Sequence, residues 1–220
     1  MLLIKRHIIF LLSGILINAC LSQNLHFSQF RANPLYLNPA LTGDFIGDLR
    51  VCGVHRSQWR SVSSPFNTYG LSAEMRKFPS FKGLNSGLSL LSDVAGDIDM
   101  RTSIINYSAS INKHMNNDST QYINLGIQTG ITQRSFDENK VTTDNQFNGD
   151  FFDPNIPINE SFNRTSWIHI NLNIGASWSY YKDKRTKYVL GLALFNLVPS
   201  NSSYLNESIV TDRRVGLNVL

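Results

Sequence analysis

The chain has 220 residues, a formal net charge of +4, and 16% charged against 42% hydrophobic residues. A soluble domain usually carries about a quarter charged residues; here Asn, Ser and Thr supply much of the polarity, which suits a surface that must be polar without ions. No Lys/Arg run with interleaved aromatics stands out, which argues against a nucleic-acid partner, and two cysteines, Cys20 and Cys52, leave no disulfide framework.

Lys5, Arg6 and His7 precede the apolar run Ile8 to Ile17, and small residues follow at Ala19, Cys20 and Ser22. A basic start and about ten apolar residues read as an export signal over residues 1–22, too short to span a membrane as a helix. Lipidation of Cys20 is the alternative, which Asn18 fits poorly. Residues 23–48 read as an irregular periplasmic lead. Asn33-Pro34 and Asn38-Pro39 restrict the backbone, and Gly43 and Gly47 break it further. One helical turn is expected after Pro39. Phe27, Phe30, Tyr36 and Phe45 need a surface to pack on.

From residue 49 the chain alternates. Strands are expected at 49–60, 66–78, 83–92, 100–114, 121–136, 165–182, 186–197 and 213–220. In the sixth, Ile168, Ile170, Leu172, Ile174, Ala176, Trp178 and Tyr180 fall on one side, and His169, Asn171, Asn173, Gly175, Ser177 and Ser179 on the other. The apolar side would meet a protein core in a soluble sandwich and lipid in a membrane barrel. Length separates the two. Globular strands hold about five or six residues, a tilted bilayer crossing takes about nine to eleven, and several strands here are longer. The polar faces are also rich in Gly, Ser and Asn, where a closed core needs bulkier groups. The expected fold is therefore all-β, an antiparallel transmembrane β-barrel over residues 49–220. The chain stops at "RRVGLNVL", inside the eighth strand, so an incomplete barrel, or an edge covered by a partner, is expected.

Connections support the same reading. "PSFKG", "NNDST" and "KDKR" after the second, fourth and sixth strands are short. The segments 92–99, 137–164 and 196–212 are longer, as outer loops of such barrels are. The exception is "SVSSP" after the first strand, which is short.

A more specific signal lies at the start of the mature chain. "HFSQFRANPLYLNPALTG" at 26–43, "RSQW" at 56–59 and "PFNTYG" at 65–70 closely resemble the opening of the PorP/SprF family, and "GLNSGLSLLSD" and "FDPNIP" are similar to later family segments. Arg31, Cys52 and His55 depart from the family pattern. The resemblance implies a β-barrel of the cell outer membrane, associated with the type IX secretion system of gliding bacteria. It implies that type IX components and a secreted surface adhesin are the partners, beside the lipid bilayer.

No catalytic constellation, cofactor motif or metal spacing emerges. The histidines do not pair at ligand spacing, Asp93, Asp97 and Asp99 and Asp144, Asp150 and Asp153 miss the EF-hand template, and no active site is assigned. His169 is expected to line the lumen, the facing of the irregular first strand and so of His55 is left open by the alternation, and Cys52 is expected to be a buried, inert thiol. The function expected is protein binding. Candidate partner contacts are His26, Phe27, Phe30, Asn33, Pro34, Asn38 and Pro39 in the lead, packing at the periplasmic mouth against the barrel or a periplasmic component, and Phe147, Phe151 and Phe152 in the longest outer loop. Trp167, Tyr180, Tyr181 and Tyr188 stand near strand ends and are candidates for an aromatic girdle at the membrane surface. A porin-like passive channel and an exported β-sandwich binding protein are the alternatives.

Overall fold

The structure, a computed structural model, describes residues 32–61, 64–77, 83–116, 118–158, 160–183, 186–201, 203–204 and 210–220. The expected export signal, with Arg31 and the lead residues His26, Phe27 and Phe30, lies outside the described residues. Eight strands follow in chain order: β1 (Leu49–Gln58), β2 (Phe66–Met75), β3 (Leu84–Ala95), β4 (Met100–His114), β5 (Gln121–Ser135), β6 (Ser166–Tyr181), β7 (Lys187–Phe195) and β8 (Arg214–Val219). Each pairs antiparallel with its chain neighbour in one sheet ordered β1 to β8. β1 and β8 are the two edges. The sheet curls into a half-barrel, as contacts to a single short segment on its inner side show below.

All eight predicted strands are present. One predicted loop is not. β3 runs on to Ala95, so residues 96–99 alone turn the chain into β4. Long connections are confined to residues 136–165 and 196–213. β4, β5 and β6 hold 15, 15 and 16 residues. At about 3.3 Å per residue and a tilt of about 45°, the longest rises roughly 37 Å, more than the roughly 25 Å apolar band of a membrane barrel. The strands therefore overshoot such a band.

The two faces are reversed relative to a soluble sheet. Ile105 (55% exposed), Leu125 (51%) and Ile170 (60%) lie on the outer, convex side, with Val51, Leu71, Leu90, Leu192 and Leu217 on the remaining strands. The concave side buries Ser72, Ser89, Ser108, Gln128, Asn171, Asn173 and Ser177. A continuous apolar surface across eight strands far exceeds what a soluble monomer leaves bare. It asks for an apolar medium, and the alternation supplies it on one side only.

On the concave side the polar groups bond to one another. Asn171 Nδ2 donates to Asn106 Oδ1 at 3.0 Å and to Thr132 Oγ1 at 2.8 Å. Gln128 Nε2 donates to Ser108 Oγ at 2.8 Å, and Asn173 Nδ2 to Gln128 Oε1 at 2.8 Å. These ties cross β4, β5 and β6 and satisfy groups whose burial would otherwise be costly.

The direction of β1, open in the sequence, is settled. His55 faces outward and stacks on Tyr69 with ring centroids 4.6 Å apart. Cys52 lies opposite Ser72, half-buried on the inner face, and is a free thiol. The expectation of a fully buried thiol is corrected to that extent, because β1 is an edge with one flank open. His169 is on the inner face beside Trp167, 4.7 Å between rings.

Candidate functional site

The lead does not sit outside the sheet. It lies in the curl. Asn33 and Asn38 each precede a proline at the first position of a 3-10 turn, Pro34–Tyr36 and Pro39–Leu41. Proline's fixed φ suits that first position and Asn is a favoured cap. The Asn38 side chain accepts from Ala40 N at 2.8 Å, closing the second turn. Thr42 Oγ1 donates to Pro39 O at 2.7 Å and Gly43, at φ +72°, turns the chain away.

The compact double turn docks through polar contacts to six strands and an apolar contact to a seventh. Asn38 Nδ2 donates toward Ala176 O on β6 (3.1 Å), Leu192 O on β7 (3.2 Å) and Asn218 Oδ1 on β8 (3.0 Å). Gln128 of β5 donates to Leu35 O at 3.2 Å, and Ser110 of β4 to Thr42 O at 2.6 Å. Thr42 and Leu35 also press on Gly87 of β3. At the far end Glu74 of β2, its carboxylate fully buried, accepts from Gly43 N at 3.0 Å and from Arg50 of β1 at 2.6 Å. The Arg50 guanidinium lies 4.5 Å from the Phe45 ring. Asp44 pairs with Lys187 of β7 and accepts from Tyr122 Oη of β5 at 2.7 Å. A flat sheet could not bring β2 through β8 to one segment of a dozen residues.

The floor of the seat is glycine. A Cβ on Gly126 would overlap the Pro39–Ala40 backbone, one on Gly175 would overlap the Asn38 amide, and one on Gly191 would lie 2.7 Å from Asn38 Nδ2. Gly126 and Gly175 are direct cross-strand partners. Glycine weakens a strand unless another backbone must come close, and here it does. These glycines and Glu74 were not singled out from the sequence; the sign was there, in an acid and three glycines placed on otherwise Ser/Asn-rich inner faces.

Asn33, Pro34, Asn38 and Pro39 are therefore not available to another protein. They are buried, and of the two contacts expected of the lead, with the barrel or with a periplasmic component, these four residues make the one with the strands. The reason is that a proline-stiffened turn with an internal cap is small enough to enter the curl. A cavity of about 190 Å³ remains beside it, lined among others by Asp44, Asn85, Asn112, His114 and Asn124. Among the described residues no group of three His, Cys, Asp or Glu stands close enough to hold a metal ion.

At the opposite end the loops form one body. Asp137 N donates to Ile98 O at 3.0 Å, and Lys140 pairs with Asp99, which raises the ammonium above its usual range. Arg164 donates to Ser203 O at 3.0 Å and Asn201 O at 2.9 Å. Phe136 meets Phe162 and Tyr204 edge-on at 5.0 and 4.9 Å. On this platform Phe147 and Phe152 bridge across a tight bend in which Asn148 Oδ1 accepts from Asp150 N and Phe151 N. Phe147, Phe151 and Phe152 are all exposed.

The four candidate girdle aromatics divide by parity. Tyr180 and Tyr188 stack on the convex face, 6.4 Å between rings, with Trp178 at 6.2 Å from Tyr180. Trp167 and Tyr181 point inward. Trp167 is 4% exposed, and Tyr181 packs on Tyr122 and Lys187. Those two cannot belong to an outer girdle, since odd-numbered residues of β6 face the curl.

A family model described as type IX secretion system membrane protein PorP/SprF matches residues 19–219. No curated protein and no solved structure matches the chain.

Proposed function

Because the chain belongs to the PorP/SprF family of type IX secretion system membrane proteins, we propose that it acts by protein binding in the outer membrane, holding a secreted surface adhesin through its loop platform. The observation that carries this reading is the arrangement of the two ends. One end is closed by the chain's own lead, bonded from β2 to β8. The other presents Phe147, Phe151 and Phe152 to solvent on loops pinned to each other. Exposed aromatics on a rigid support are the residues that dominate protein interfaces. A seated lead also favours an anchor over an open conduit.

The test is surface display of the cognate adhesin in cells carrying Phe147→Ser, Phe151→Ser and Phe152→Ser together. Display is expected to fall at least about tenfold, the effect of losing about 1.4 kcal/mol or more of binding, with unchanged amounts of protein in the outer-membrane fraction. Normal display at normal levels would refute the assignment of these three residues.

A further inference from the structure

We propose that the inner face beneath the outer loops holds a carboxylate-binding site, built by Arg134 and Trp167, which receives a peptide bearing a single carboxylate among apolar residues. This rests on the protein-binding reading above and names the chemistry of the partner.

Arg134 and Trp167 are direct partners across β5 and β6, both facing the curl. The guanidinium carbon lies 5.6 Å from the indole centroid. Among the described residues Arg134 has no acid within ion-pair distance, and its buried Nε finds no acceptor. The nearest acid in register is Asp93, on the other side of Thr102, and it already accepts from Thr68 Oγ1 at 2.6 Å. The Trp167 indole N–H is buried and has the Tyr204 hydroxyl as its polar neighbour, with 6.5 Å between the rings. His169, beside Trp167, is half-buried and has Asn171 as its hydrogen-bond neighbour.

A buried donor without an acceptor is costly, and such groups in a native fold call for a ligand or water. Here the donor is a guanidinium lying over an aromatic ring. That pairing fits a carboxylate, which accepts two parallel N–H bonds from an arginine fork. Asn171 and Thr132, next on the inner face, are already bonded to each other and leave the guanidinium free.

The surroundings narrow the ligand. A recess of about 620 Å³ adjoins this cluster, sharing Tyr204 with it and lined also by Ile98, Met100, Phe136, Val141 and Phe162. It takes apolar side chains. Asp144 and Glu160 also line it, so a polyacidic segment would be repelled. One carboxylate with apolar neighbours is what remains.

The experiment is titration of the purified full chain in detergent micelles with a short peptide, acetyl-Leu-Glu-Phe-amide, against its Gln counterpart and against free acetate. Saturable binding of the Glu peptide is expected, with the Gln peptide at least about tenfold weaker, the discrimination a charge-assisted bidentate pair supplies. Arg134→Gln should abolish the preference for Glu over Gln, Arg134→Lys should restore only part of it, and Trp167→Phe should weaken both peptides. Retained heat-dependent gel mobility shows that each variant is folded. Equal binding of the Glu and Gln peptides, an unaltered preference in Arg134→Gln, or no binding of either peptide would overturn the proposal. Acetate binding as tightly as the peptide would show an anion site without a peptide component, and would overturn the peptide part. Because the readout is binding in vitro, it can fail while the loop phenylalanines still support adhesin display, and the reverse.

Discussion

Asn38 is the tightest test of the seated lead. It is fully buried, and its amide is the hub between the lead and β6, β7 and β8. Asn38→Ala leaves the Ala40 N–H without its acceptor and the Asn218 side chain without its donor. A buried group stripped of its partner costs about 1–3 kcal/mol, and each lost bond about 1 kcal/mol net. The expected loss is about 3–5 kcal/mol, a large share of a typical domain's stability. Asn38→Asp keeps the shape but turns the donor into an acceptor facing three oxygens. At neutral pH it should be at least as damaging as alanine. The burial and those oxygens raise the folded carboxyl's pKa above its unfolded value. The variant therefore regains stability below about pH 4, where the unfolded carboxyl is also protonated, and loses it as pH rises through the folded value. Urea unfolding in lipid vesicles, read by heat-dependent gel mobility, measures both variants. If Asn38→Ala unfolds within about 0.5 kcal/mol of the parent, a margin ordinary for surface changes, the lead is not held as described.

Two further substitutions probe the floor and the outside. Gly175→Ala should cost about 1–3 kcal/mol through overpacking against Asn38, whereas Gly53→Ala on the convex side of β1, with nothing within 4 Å of the new methyl, should be neutral or slightly stabilising; equal effects in vesicle unfolding would contradict the close approach. Leu125→Arg, on the convex face of β5, should destabilise the vesicle-inserted protein by about 2–4 kcal/mol, and an inserted variant as stable as the parent would mean that lipid does not touch this face.

Much of the sheet was legible because a strand writes its geometry into every second residue. All eight strands could be placed from alternation, and the Ser/Asn faces from composition. The errors came from features that alternation does not carry. Trp167 and Tyr180 both lie near strand ends, yet one is odd and the other even, so distance from the end grouped residues that parity separates. His55 was ambiguous because β1 carries small or polar residues on both faces, Gly53 and Ser57 on one and Arg50 and Arg56 on the other. The lead was opaque for a different reason. A double Asn-Pro turn has no period, and what it fits lies far along the chain, with hydrogen bonds from Asn38 spanning 138, 154 and 180 residues. The complementary glycines carry no side chain to announce a contact.

The inversion of the sheet changes what must hold it together. When an apolar face is bathed in lipid tails, its burial supplies little drive for one strand to pack on the next. Cohesion then falls to the ladder and to the concave side, where no Leu or Ile layer from an opposing sheet fills the curl. The lead meets that need. Its two stiff turns cost little entropy to order, they bring a compact set of donors and acceptors, and they end on two ion pairs: Gly43 N donates to Glu74 of β2, which pairs with Arg50 of β1, and Asp44 of the lead pairs with Lys187 of β7. The same polar interior that lets the segment lock in place at one end leaves the buried Arg134 Nε without an acceptor at the other.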